Sequence, residues 1–202
     1  SEWSAVEGSI TKPGDSAGNV RRLTLGADPV SDRIAMGVVT YSDDIWLNVW
    51  DGSSWDTSLT ATTTATGTTH DCVAVAFERQ SGQALAAYGE SGLSVVRYRT
   101  WSSGGSWSGE QTDGPDIGAT PNTMTLHSDP LSDDIMLSVQ DSDSDLNYVL
   151  WNATSWGSPS EQETNTDEIK NQPFVFLWNQ GPFIHPTISS AVSQIFAVGQ
   201  AA

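Results

Sequence analysis

The chain has 202 residues, with 8 basic against 25 acidic side chains and a formal charge of −17 at pH 7. That balance argues against a nucleic-acid partner, whose phosphates need Lys and Arg to replace their counterions. The length suits one domain with a core of ordinary size, the lone Cys72 excludes an intrachain disulfide, and no apolar run reaches the roughly 18 residues of a membrane-crossing helix.

The acidic excess fits solubility at a crowded exterior, salt adaptation or divalent-cation binding, and solubility is the simplest of the three. A Ser/Thr/Gly-rich, Lys-poor composition and an opening SEWSAVEG without Met point to an exported, processed or trimmed chain, acting outside the cell or at its surface.

In chain order, residues 1–19 contain SEW, ending at Trp3, which lies 52 residues before Trp55. Unit 1 (20–70) then runs through Leu23 and Leu25, the acidic turn DPVSDRI at Asp28, the alternation Ile34, Met36, Val38, a second alternation Ile45, Leu47, Val49, and the turn WDGSSW at 50–55. Unit 2 (71–119) repeats this with Val73 and Val75, ERQSGQA at Glu78, Ala84, Ala86, Tyr88, then Val96, Tyr98, Thr100, and WSSGGSW at 101–107. Unit 3 (120–170) repeats it again with Met124 and Leu126, DPLSDDI at Asp129, Ile135, Leu137, Val139, then Leu146, Tyr148, Leu150, and WNATSW at 151–156.

Trp50, Trp101 and Trp151 are 51 and 50 residues apart, and the acids Asp28, Glu78 and Asp129 are 50 and 51 apart. Period-2 alternation bounded by Gly, Pro, Asp and Ser is the signature of short strands. Four strands in about 50 residues is the size of a propeller blade. Residues 171–202 form a divergent partial unit 4, in which Phe174 and Phe176 open the first strand, QIFAVGQ at 194–200 supplies a third, and LWNQGPFIHPTISS replaces the acidic turn. The sequence therefore predicts an all-β, four-unit propeller whose last blade is completed by the N-terminal strand, with a β-sandwich of repeated hairpins as the alternative. Pairing the termini would remove an exposed strand edge, within one chain or between chains, so self-association through terminal strand pairing is a further expectation.

The paired tryptophans are expected to pack over their turns, each burying about 150–250 Å². The other face of the third strand varies from unit to unit: Trp46 and Asn48, then Arg97 and Arg99, then Asn147 and Val149. Scaffold positions repeat and these do not, so Trp46, Asn48, Arg97, Arg99 and Asn147 are the candidate ligand-binding residues, an aromatic for stacking on a sugar ring and polar groups for its hydroxyls. Asp141, Asp143 and Asp145 in DSDSD offer alternate carboxylates to a Ca²⁺ ion, although Leu146 stands where an EF-hand-like loop has Gly. Asn152 heads an N-glycosylation triplet, Asn152-Ala153-Thr154. His70, His127 and His185 have no ligand spacing, and Cys72, beside Val73 in an apolar alternation, reads as a buried thiol.

WDGSSW resembles the Asp-box turn of sialidase propellers, with Gly52 and Trp55 in place and Asp51 one position too close. That box is structural in its family, and the arginine triad, Tyr and acid of sialidase catalysis have no counterpart set among the six Arg of this chain. DIWLNVWDGSSW is similar to blades of fungal and bacterial fucose-binding lectin propellers, where a Trp-Asp-Gly-x-x-Trp turn follows a strand bearing a ligand-binding Glu; Asn48, Arg97 and Tyr148 stand near that Glu here. The whole repeat, with its DPxSDxI and WNxxSW elements, looks like tandem repeats of bacterial surface and secreted proteins. These resemblances imply a non-enzymatic extracellular or cell-surface protein, serving adhesion or as a structural subunit of a surface assembly or filament. The alternative they leave open is a carbohydrate-binding lectin with glycan partners, with a glycoside hydrolase ranked behind both.

Overall fold

The computed structural model describes residues 19–56, 58–67, 70–164, 166, 174–178 and 194–197. Unit 1 forms β1 (Val20–Ala27), β2 (Ile34–Thr40), β3 (Ile45–Trp50) and β4 (Leu59–Thr62); unit 2 forms β5 (Val73–Phe77), β6 (Ala84–Tyr88), β7 (Arg97–Ser102) and β8 (Ser106–Trp107); unit 3 forms β9 (Pro121–Ser128), β10 (Ile135–Asp141), β11 (Leu146–Trp151) and β12 (Ser160–Glu163). Each unit is one four-stranded antiparallel sheet in chain order, while β13 (Phe174–Leu177) and β14 (Gln194–Ala197) make a separate two-stranded sheet. The register repeats with the sequence. Ile34 faces Trp50, Ala84 faces Trp101 and Ile135 faces Trp151, so the first tryptophan always lies across from the residue that opens the second strand.

The acidic turns close alike, each acid's N–H donating to the carbonyl five residues on: Asp28 to Arg33, Glu78 to Gln83 and Asp129 to Asp134. Their side chains then cap the turn, Asp28 accepting from Val30 N–H at 3.0 Å and Asp129 from Leu131 N–H at 2.8 Å. A carboxylate that accepts backbone N–H groups within its own turn offers the chain an alternative to continuing the strand, which is why the strand ends there.

The three sheets pack in a row. One apolar cluster joins Ala35, Leu47 and Val49 of sheet 1 to Val73, Val75 and Phe77 of sheet 2; a second joins Ala74, Ala76 and Tyr98 of sheet 2 to Met124, Leu126 and Leu137 of sheet 3. Alternation along β5 thus sends Val73 and Val75 one way and Ala74 and Ala76 the other, burying both faces of the central sheet. Glycine permits the close approach of sheets 1 and 2: a Cβ on Gly26 of β1 would lie 2.7 Å from the Val75 carbonyl oxygen of β5.

The expected closed four-unit propeller is not what the described residues form. Unit 4 contributes a two-stranded sheet, with β14 paired directly to β13 (Phe174 opposite Ala197) in the place of a second strand and not the third. Among the described residues no sheet closes on itself, and the strands at both ends of the row carry exposed apolar side chains. On β1, Leu25 is 56% exposed where its equivalents Val75 and Leu126 are 5% and 8% exposed; on β13, Leu177 is 57% exposed where its equivalent Ala76 is 5% exposed. A closed ring would bury those side chains as the inner joints do. A two-sheet sandwich fails as well, because three successive sheets share two separate cores. The N-terminal closing strand and Trp3, placed in 1–19, lie outside the described residues apart from residue 19, as do the replacement loop of unit 4 beyond Trp178 and His185. Among the described residues no helix is long and apolar enough to cross a membrane.

Candidate functional site

The tryptophan turns of units 1 and 3 are built on an Asx seat. The Asp51 Oδ1 accepts the Ser53 and Ser54 N–H groups, both at 2.8 Å, and Asn152 Oδ1 accepts those of Thr154 and Ser155 at 3.2 and 2.9 Å. These bonds, the Ser54 N–H first, hold the exposed Asp51 carboxyl down at about 2. The next residue takes a left-handed backbone, Gly52 at φ 103° and Ala153 at φ 70°. The flanking rings meet edge to face, Trp50 with Trp55 at 5.8 Å and Trp151 with Trp156 at 5.2 Å.

The first tryptophans of units 2 and 3 also reach the preceding sheet. The Trp151 indole N–H donates to Glu78 Oε1 at 2.8 Å, inside the acidic turn of sheet 2, and its ring lies 5.5 Å from Tyr98. One sheet earlier, Trp101 lies under the Arg33 guanidinium at 5.6 Å, and Arg33 pairs with Asp28 at 3.8 Å. The repeated Trp and the repeated acid are thus two halves of one joint between sheets.

Arg97 and Arg99, the variable third-strand residues of unit 2, line the seam between sheets 1 and 2. Arg97 Nε donates to Glu90 Oε2 at 3.2 Å and Arg97 Nη1 to the Thr112 carbonyl at 3.1 Å. The other Glu90 oxygen accepts the Thr62 hydroxyl and, at 3.5 Å, that of Thr64. Deeper along the seam, Arg99 donates to Tyr88 Oη at 3.3 Å, to the Ser108 carbonyl at 2.8 Å and to the Ala61 carbonyl of sheet 1 at 3.4 Å; Tyr88 in turn donates to Glu110 at 2.9 Å. Burial, opposed by the Arg99 charge, pushes the Tyr88 phenol well above its usual value. Glu90, Arg97 and Arg99 are half-buried, and Thr64, Glu110 and Thr112 are exposed at the rim. A planar cation, a carboxylate and two hydroxyls therefore sit together at a partly open seam.

Glu90 and Thr62 escape a reading by spacing. They belong to neighbouring units, 28 residues apart, and only the packing of sheet 1 on sheet 2 brings them to Arg97. The hint in sequence was the turn GESGL, which places an acid where units 1 and 3 have SDDI and DSDSDL.

The other candidates lie apart from this cluster, on sheets 1 and 3. Trp46 is buried on β3 in a small cluster with Met36 and Val38. Asn48 is fully buried and its amide donates to the Ser58 hydroxyl at 2.7 Å. Asn147 is buried on β11 with its Nδ2 lacking a hydrogen-bond partner. Asp141 is also buried; its Oδ1 accepts the Asp143 and Asp145 N–H groups, both at 3.0 Å, closing the β10–β11 turn. Desolvation raises the Asp141 carboxyl. Among the described residues no group of three or more His, Cys, Asp or Glu side chains is arranged to hold a metal ion. Asn152 is exposed on its turn. Cys72 is fully buried, and desolvation pushes its thiol up to about 11, which leaves it a poor nucleophile at neutral pH.

A second recess lies where the inner strands meet. Its volume is about 290 Å³, and Leu23 and Leu25 of β1, Val73 of β5, Thr125 and His127 of β9 and Asp71 before β5 are among the residues that line it. Arg22 pairs with Asp71 at 3.4 Å, and desolvation holds the His127 imidazole below its usual value.

No family model and no curated protein matches the chain. Among solved structures it is similar to a lectin from Burkholderia pseudomallei, with a TM-score of 0.56 at 13% identity over 74% of this chain and 44% of that one. A six-bladed β-propeller lectin from Aleuria aurantia gives a TM-score of 0.47 at 18% identity over 75% of this chain and 47% of that one. A fucose lectin from Kordia zhangzhouensis gives 0.43 at 15% identity over 71% of this chain and 99% of that one. The chain spans less than half the length of the first two. The likeness to the Burkholderia lectin is one of fold alone.

Proposed function

We propose that the protein binds carbohydrate, outside the cell or at its surface and without catalysis, through the seam between sheets 1 and 2. The observation that carries this reading is the cluster of Arg97, Glu90, Thr62 and Thr64. A sugar hydroxyl is donor and acceptor at once, so it is matched by a fixed guanidinium beside a carboxylate, and the Arg97–Glu90 pair is both fixed and reachable from solvent. The lectin whose fold the chain shares supports the reading by its name.

Immobilised glycans should retain the protein, and Arg97→Gln should weaken that retention about tenfold or more, as expected from losing a hydrogen bond to a charged group worth about 1.5–3 kcal/mol. Thermal melting of the variant should stay within a few degrees of the parent, separating loss of binding from loss of fold. Silence across a broad glycan array, or retention unchanged in Arg97→Gln, would sink the assignment.

A further inference from the structure

The recess shared by β1, β5 and β9 is lined where the repeat breaks. Arg22 stands where units 2 and 3 have Cys72 and Thr123, Asp71 where units 1 and 3 have Arg21 and Asn122, and His127 where units 1 and 2 have Gly26 and Ala76. Joints between sheets ask for the same packing residue at each step. Three departures from it around one cavity answer to something other than the joint. At about 290 Å³ the recess lies at the lower limit of ligand pockets, which run from roughly 300 to 1,000 Å³, so its occupant is small.

Its charges come as one pair. Arg22 Nε meets Asp71 Oδ1 at 3.4 Å, with the two side chains 37% and 38% exposed. An ion pair this open contributes little to the fold, so it can rearrange around a ligand at small cost. Desolvation lowers the affinity of the His127 imidazole for a proton and keeps it uncharged at neutral pH. Among the described lining residues, one positive and one negative group therefore stand side by side without net charge. Most of the remaining lining is apolar. Leu23 and Leu25 border the recess 55% and 56% exposed, whereas their equivalents Val73 and Val75 are 4% and 5% exposed. Thr125 adds a hydroxyl that is buried without a hydrogen-bond partner.

We infer that the recess binds a free α-amino acid with an aliphatic side chain, its carboxylate on Arg22, its ammonium on Asp71 and its side chain over Leu23 and Leu25. A zwitterion meets both members of the pair, so each charge keeps a charge-assisted hydrogen bond while leucine surface leaves water. A plain carboxylate satisfies Arg22 but sets a like charge beside Asp71, and a plain amine does the reverse. Having no net charge, a zwitterion is also indifferent to the −17 of the chain, which repels simple anions. The recess shares no residue with the seam of Arg97 and Glu90, so this inference stands apart from sugar binding.

Ligand-observed NMR titration of the full chain with three probes of one shape tests it: L-leucine, isocaproate, which lacks the ammonium, and isoamylamine, which lacks the carboxylate. L-leucine should bind about tenfold or more tightly than either, the loss expected with one hydrogen-bonded charge. Arg22→Gln should weaken L-leucine and isocaproate about tenfold and spare isoamylamine. Asp71→Asn should weaken L-leucine and isoamylamine and spare isocaproate. Both residues are more than a third exposed, so each variant should keep the parent's circular dichroism. A merely structural role for the pair would weaken all three probes alike. Failure of L-leucine to saturate the parent, equal binding of the three probes, or a folded variant that loses all three alike would each overturn the inference.

Discussion

Trp151→Ala is expected to lower stability by roughly 3–5 kcal/mol, the range for deleting a large buried aromatic. The side chain is 3% exposed, its ring meets Tyr98 and Trp156 edge to face, and its N–H is bound to the buried Glu78 carboxylate. Alanine leaves a cavity across the joint between sheets 2 and 3 and takes one donor from a carboxylate that water reaches poorly. Trp151→Phe separates the two effects. It keeps most of the apolar contact and removes the indole donor, so its cost should fall to about 1–3 kcal/mol, the desolvation cost of a buried group deprived of a partner. Denaturant titration measures both. A Trp151→Ala variant within about 1 kcal/mol of the parent would mean that this joint contributes little and that the sheets stand largely alone.

Gly89→Ala should be nearly as damaging, for a reason that concerns the backbone. A Cβ there would lie 2.3 Å from the Pro121 carbonyl oxygen and 2.5 Å from the Thr66 hydroxyl. The threonine can rotate away, but Pro121 opens β9, so the carbonyl retreats only if sheet 3 moves from sheet 2. Overpacking of this kind costs about 1–3 kcal/mol or more. Gly109→Ala is the matched control. Nothing lies within 4 Å of its Cβ, so it should be neutral or stabilise by up to about 1 kcal/mol through the unfolded chain. Equal melting temperatures for the two variants would show that the close approach at Gly89 is not a constraint.

The architecture was legible in the sequence where it repeats. The 50-residue step of Trp50, Trp101 and Trp151 predicted three equal sheets, and the sheets have the same register opposite those tryptophans. Why the acids recur was not legible. Glu78 and Trp151 are 73 residues apart, and only sheet-on-sheet packing reveals them as partners. The ring was misjudged because closure depends on what covers the two ends, and alternation reads the same in a buried strand and in one with an open face. Leu25 and Val75 are indistinguishable as sequence, yet one is mostly exposed and the other buried. Arg97 and Arg99 stood out because they break the repeat. Their surroundings did not, because Glu90 and Thr62 come from different units.

The row of sheets has one more consequence, for cooperativity. When every sheet touches only its neighbours, stability is a chain of local terms: one for each sheet, one for each joint. The central sheet is held from both sides and the outer sheets mainly from one. A chain of this kind has no single weakest point but a gradient, in which loosening enters at an end and advances one joint at a time, so that the half-buried seam of Arg97 and Glu90 is sheltered or exposed according to how far that front has moved.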